Sequence, residues 1–206
     1  RKMGNVLLVA PMHLDERRTG PAIRYWEFAR VLSREHQVTL LVPNDSHPTH
    51  AGFVVRTASA DELPGLAAKQ DIVVIQGPAL QLHPQLATIL AAGRHHVVVD
   101  LYDPVGFEQL AIDPKGQVGR HLHLEYWALV NEQLRVGDFF LCASERQRDY
   151  WLGALGALGR LNHDTWDGCD FRRLIDLVPF GLPAEPPRLE KPELRDLLPH
   201  ASSQDR

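Results

Sequence analysis

The chain has 206 residues and a mass of 23.2 kDa, which fits one generous domain or two very small ones. Its 22 Lys and Arg against 26 Asp and Glu leave a formal net charge of -4, which excludes the basic field that neutralises nucleic-acid phosphates. An apolar content of 44% supplies a core and excludes global disorder, while no apolar run reaches the ~18 residues that a bilayer span requires.

Asn5 to Ala10 (NVLLVA) is apolar without alternation and predicts a buried strand. The following helix, Pro21 to Glu35, places Tyr25, Phe28, Ala29 and Leu32 on one face and Glu27, Arg30 and Arg34 on the other. Strands are predicted at Gln37 to Val42, Phe53 to Arg56 and Asp71 to Ile75. Pro84 marks the first turn of a helix ending near Ala92. Val97 to Leu101 is the next strand, followed by a loop holding Pro104, Gly106, Pro114 and Gly116. A helix over Arg120 to Arg135 and a strand over Asp138 to Ala143 come next. Ser144 with Gln147 forms a capping box for the helix after it. Gly153, Gly156 and Gly159 recur at helical spacing there and predict a face of close helix packing. Ile175 to Val178 is the last strand.

Continuous apolar strands alternating with helices imply right-handed βαβ units and a doubly wound parallel sheet, an α/β Rossmann-like fold over residues 1–183. Six of the fifteen prolines fall from Pro179 onward. Residues 184–206 therefore read as a linker, and the expectation is of a piece of a larger protein whose second domain follows.

In such a sheet, ligands bind at the carboxyl ends of the strands, near the point where strand order reverses. The loop Pro11 to Gly20 (PMHLDERRTG) leads from the first strand into the first helix. Gly20, with Thr19 beside it, allows backbone N–H groups to approach a phosphate. Arg17, Arg18 and Arg24 offer positive charge. The loop has neither the dinucleotide fingerprint nor the P-loop ending, and a surface loop with a helix-start glycine fits the same residues. Asp100-Leu101-Tyr102-Asp103-Pro104 ends a central strand. Asp100 and Asp103 suit acid/base work or sugar hydroxyls, or equally a turn at Asp103-Pro104 with Asp100 bonded locally. Gln76-Gly77-Pro78 lines the same crevice, and His13 lies in the first loop over it.

Two residues apart, His121 and His123 diverge on a helix and share no metal. His95 and His96 point to opposite sides of a strand, and no metal site is expected. Asp164, Asp167 and Asp170 lack the order of a calcium loop and read as a solvated loop. Neither Cys142 nor Cys169 has the spacing of a reactive pair or of a disulfide framework. With no signal-peptide architecture at Arg1-Lys2-Met3, a reduced cytoplasmic location is the expectation.

Five segments in order carry a resemblance: TGPAIRYWEFARVL from Thr19, DIVVIQGP from Asp71, VVDLYDP from Val98, FLCASERQRDYWLGAL from Phe140 and LIDLVPFGLP from Leu174. Together they resemble the amino-terminal half of the bacterial family 4, "group 1" glycosyltransferases of the two-domain GT-B fold, over Asn5 to about Pro187. The resemblance implies an acceptor-side domain that works with a carboxyl-terminal domain holding most of a nucleotide-diphosphate-sugar donor. It implies transfer to a glycan, lipid or small-molecule acceptor in the cleft between the two, usually with retention and without metal or other cofactor. It sets the loop with Gly20 toward the donor diphosphate; Thr19 and Arg24 join that side, and His13, Tyr102, Gln76 and Gly77 the substrate side, by location at the crevice. Relatives often have a GG pair where Thr19-Gly20 stands, and many have a histidine where this chain reads DLYDP, so Asp100 and Asp103 replace it by location only. Lipid-linked acceptors are common in the family, so a peripheral position at the inner membrane face is compatible with the resemblance. A stand-alone Rossmann-like binding module and a nucleotide-sugar epimerase of GT-B fold are the alternatives.

Overall fold

A computed structural model describes residues 3–14, 19–45, 47–117 and 119–181. Among them, seven strands run β1 (Asn5–Val9), β2 (Gln37–Leu41), β3 (Val54–Arg56), β4 (Ile72–Gln76), β5 (His96–Asp100), β6 (Phe139–Cys142) and β7 (Ile175–Leu177). The helices between them are α1 (Gly20–Leu32), α2 (Leu63–Ala67), α3 (Ala79–Leu82), α4 (Leu86–Ala92), α5 (Val105–Ile112), α6 (Arg120–Val136) and α7 (Glu145–Ala157). The strands form one sheet in the order β3-β2-β1-β4-β5-β6-β7, every neighbouring pair parallel. Strand order reverses between β1 and β4, which makes that junction the topological switch point of an α/β, Rossmann-like fold.

Alternation along the strands divides the core in two. Leu7, Val9, Val73, Ile75, Val97 and Val99 meet α2, α4, α6 and α7 on one face. Val6, Leu8, Val38, Leu40 and Val74 meet α1 through Ala22, Tyr25 and Ala29 on the other. Both faces are covered, which explains the unbroken apolar character of the strands. Ser144 caps α7 by accepting from the Gln147 N–H at 3.3 Å, while the Gln147 side chain reaches back to the Ala143 N–H at 2.8 Å. The box therefore closes one residue earlier than in its usual form.

Three expectations change. The stretch after β5 is not wholly loop, because α5 forms across Val105–Ile112 with Pro104 at its N-cap. Gly106 is tolerated inside it because any Cβ would stand 2.3 Å from the Trp127 ring of α6. The glycines of α7 do not make a close-packed face, since nothing lies within 4 Å of a Cβ at Gly153 or Gly159. Gly159 instead ends the helix at φ 71°, with its N–H on the Gly156 carbonyl and the Arg160 N–H on Leu155, the left-handed termination that glycine favours. Pro84 also precedes its helix rather than opening it, because α4 starts at Leu86 after Gln85. The short α2 and α3 have no counterpart in the sequence reading. The proline-rich linker at 184–206 lies outside the described residues. Among the described residues no helix is long and apolar enough to cross a membrane.

Candidate functional site

The crevice lies at the carboxyl ends of β1, β4 and β5, where α1 begins. Thr19 is the extended N-cap of α1 and its hydroxyl makes no capping bond, so the first-turn N–H groups have no side-chain acceptor there. Gly20 opens the helix and Pro21 follows, its fixed φ suited to the first turn. A Cβ on Gly20 would stand 3.3 Å from the Tyr102 hydroxyl, so the approach of these two elements leaves little room for a side chain.

Behind this opening sits a buried clamp. Arg24 donates from Nε to Asp100 Oδ2 at 2.7 Å and from Nη2 to Oδ1 at 3.0 Å. Its guanidinium also donates to the carbonyls of Val178 at 2.8 Å and Pro179 at 3.3 Å. The Phe28 and Tyr102 rings lie 4.6 and 4.9 Å from the guanidinium carbon. Arg24 is 4% exposed and Asp100 2%. Burial pushes the Asp100 carboxyl above its ordinary range, while Arg24 and the Tyr102 N–H pull it back. Arg24 as a supply of free charge, and Asp100 as an accessible acid or base, are thus corrected: the two are spent on each other and on the chain leaving β7. Phe180 completes the strap, its ring centroid 5.8 Å from that of Tyr102.

Asp103 has the opposite environment. It accepts a hydrogen bond from Glu108, in the first turn of α5. That bond, then burial, then the Asp103 charge raise the Glu108 carboxyl from 4.5 to about 7. A carboxyl raised to about 7 beside a second carboxylate can both give and take a proton near neutrality. Tyr126 of α6 lies within their field, and burial with both carboxylates raises its phenol. Glu108 was not singled out from the sequence, because it becomes a neighbour of Asp103 only when α5 is helical.

Gly77 adopts φ 50° just after β4, a left-handed turn that suits glycine. Its Cα faces Pro11 and the Tyr126 hydroxyl, each 3.9 Å from a Cβ placed there. Its carbonyl accepts from Gln133 Nε2 at 2.7 Å, a buried polar partner on α6 that sequence reasoning missed. Gln76 is 2% exposed, and its Oε1 is buried with no partner among the described residues, as is the Tyr25 hydroxyl on the same α1 face of the sheet. His13 stands apart, lining a cavity of about 620 Å³ with Asp45, Thr57, Ser59 and His83 beyond β2 and β3. Arg17 and Arg18 lie outside the described residues.

Elsewhere, Asp167 accepts from the backbone N–H groups of Cys169, Phe171 and Arg173, which explains the aspartate-rich turn without a cation. Among the described residues no group of three or more His, Cys, Asp and Glu could hold a metal ion. Cys142 is buried and Cys169 exposed, both free.

No protein-family model and no curated protein matches the chain. Among solved structures, it is similar to the DNA/pantothenate metabolism flavoprotein from Streptococcus pneumoniae at 10% identity and a TM-score of 0.34. That match covers 69% of this chain and 81% of the other. At that level of likeness nothing about ligand or chemistry carries across.

Proposed function

We propose that this chain is the acceptor-side, amino-terminal domain of a GT-B glycosyltransferase that moves a sugar from a nucleotide-diphosphate donor to a glycan, lipid or small-molecule acceptor. The observation that carries the reading is the opening of α1 at the switch point, where Gly20 follows an N-cap whose hydroxyl makes no capping bond. Such a helix start favours a diphosphate through its N–H groups and dipole. Of the five segments that resemble family 4 enzymes, those from Thr19, Asp71 and Val98 lie on α1, β4 and β5, around that crevice.

In this reading the crevice lined by Gln76, Gly77 and Tyr102 takes substrate, and the cavity lined by His13, Asp45, Thr57 and Ser59 offers hydroxyl partners to an acceptor. The Asp103–Glu108 pair is the one poised to move a proton at an acceptor hydroxyl, with Asp100 kept for positioning. Thr19 and Gly20 serve the diphosphate, and Arg24 serves it only by holding Asp100 and the chain after β7. No cofactor or nucleic acid is invoked. The work is cytoplasmic, at the inner membrane face if the acceptor is lipid-linked.

The test is Gly20→Val in the natural full-length protein, assayed for transfer from a panel of nucleotide sugars. Loss of the backbone contact should lower turnover about a hundredfold, and an unchanged rate removes Gly20 from the site. The 206-residue chain alone should show no transfer, and activity from it overturns the two-domain account. A native mass near 23.2 kDa with saturable ligand binding and no transfer would establish the stand-alone binding module instead. Conversion of a nucleotide sugar without any acceptor would establish the epimerase.

A further inference from the structure

The turn between α5 and α6 builds a groove of about 660 Å³ that the reading above does not use. Its walls are apolar: Leu110 and Ile112 from α5, Leu122 and Leu124 from α6. These side chains are far from buried, Ile112 being 74% exposed and Leu124 68%. Four large, exposed aliphatic side chains bordering one concavity are a patch to be covered rather than scattered surface.

The polar groups in the same walls favour an anion. Lys115 and Arg120 line the groove, and neither makes an ion pair among the described residues. The carboxylate in the wall, Asp113, is engaged by the Gln117 N–H at 2.7 Å. His123 also lines the groove. The Trp127 indole, which can only donate, gives its N–H to His123 Nε2 at 3.0 Å. The imidazole Nδ1 is buried and has no partner among the described residues. Apolar walls that include two cationic side chains fit a ligand that is apolar along its length and anionic at its head.

We propose that the α5–α6 groove binds a free single-chain amphiphile of the fatty-carboxylate class, its chain on Leu110, Ile112, Leu122 and Leu124 and its head against Lys115 and Arg120. A free molecule is favoured over a bilayer because the segment 105–136 has no excess of basic residues. Lys115, Arg120 and Arg135 are outnumbered there by Glu108, Asp113, Glu125 and Glu132. This inference does not depend on glycosyl transfer.

Trp127 reports on the groove through its bond to His123. Titrating the 206-residue chain with dodecanoate below its micelle concentration should change indole emission saturably, and Trp127→Phe should remove the change. Lys115→Gln with Arg120→Gln should weaken binding about tenfold, as the loss of two partly exposed charge contacts does. Dodecanol should bind the native chain weaker by a similar factor. Leu124→Asp, at an exposed position that leaves the fold intact, should abolish binding. Absence of saturation overturns the proposal, as does a signal that survives Trp127→Phe. Equal binding of dodecanol, or of dodecanoate to the Gln variants, removes the anionic head. A response to anionic phospholipid vesicles alone would assign the patch to a bilayer.

Discussion

Asp100 and Asp103 stand three residues apart in one stretch of chain, and the fold gives them opposite electrostatics. Asp100 is the last residue of β5 and its side chain falls on the α1 face, where a buried guanidinium meets it in two bonds. Asp103 lies past the strand, at the start of α5, and its neighbour is another carboxyl. Burial raises the Asp100 carboxyl against the pull of Arg24, whereas Asp103 acts on its neighbour, raising Glu108. The difference shows that acidity in a crevice is not itself chemistry: the aspartate closest to the sheet is walled in by its partner.

The largest way to break this contrast is to remove Arg24. Arg24→Ala leaves Asp100 buried without its partner and also frees the Val178 and Pro179 carbonyls. A loss of about 3–5 kcal/mol is expected, read as a fall in urea midpoint with an unchanged slope. Arg24→Met with Asp100→Leu should recover most of that loss, because replacing both members of a buried pair is often neutral. A double variant as unstable as Arg24→Ala would show that the two carbonyls, not the ion pair, dominate the clamp.

Gln133 tests the other wall of the crevice at a smaller scale. Gln133→Leu leaves the Gly77 carbonyl without its partner and should cost about 1–3 kcal/mol. Ser144→Ala removes a cap that lies away from both carboxylates and should cost about 1 kcal/mol. Thermal unfolding of the two variants ranks them. The reverse order would mean that the turn at Gly77 is held by its backbone alone.

Periodicity carried the sheet well. All seven strands lie where apolar runs placed them, the central ones because a strand buried on both faces has few polar residues to blur it. The short helices were illegible for a related reason: four or five residues such as Ala79–Leu82 span about one turn and show no repeat. α5 was hidden by Pro104 and Gly106, two residues that ordinarily mark a loop. Pro104 proves to be the cap, and Gly106 fits because Trp127, twenty-one positions on, occupies the space of its side chain. Glu108 was lost with the helix that presents it. Arg24 was read by its charge when its position on α1, one turn before Phe28 of the apolar face, already pointed toward the sheet. Gly153 shows the converse limit, since regular spacing of glycines implies packing only if another element passes there, and none of the described ones does.

The smallest effect on stability belongs to the second carboxylate, and it is the sharpest test of the comparison. Below about pH 4.5, where Glu108 is protonated whether the chain is folded or not, Asp103→Asn should alter unfolding free energy by less than about 0.5 kcal/mol. Its consequence is in titration. In the native chain Glu108 should titrate near 7 by carboxyl NMR, against an ordinary 4.5. The folded chain then holds a proton that the unfolded chain has released, so stability falls as pH rises from about 4.5 to about 7. With Asn at 103 the carboxylate that held the proton is gone. Glu108 should return toward its ordinary range, and that pH-dependent slope should flatten. Burial is the second cause of the shift. If Glu108 still titrated near 7 in Asp103→Asn, burial alone would be raising it, and Asp103 would be a bystander like any loop aspartate rather than the counterpart of Asp100.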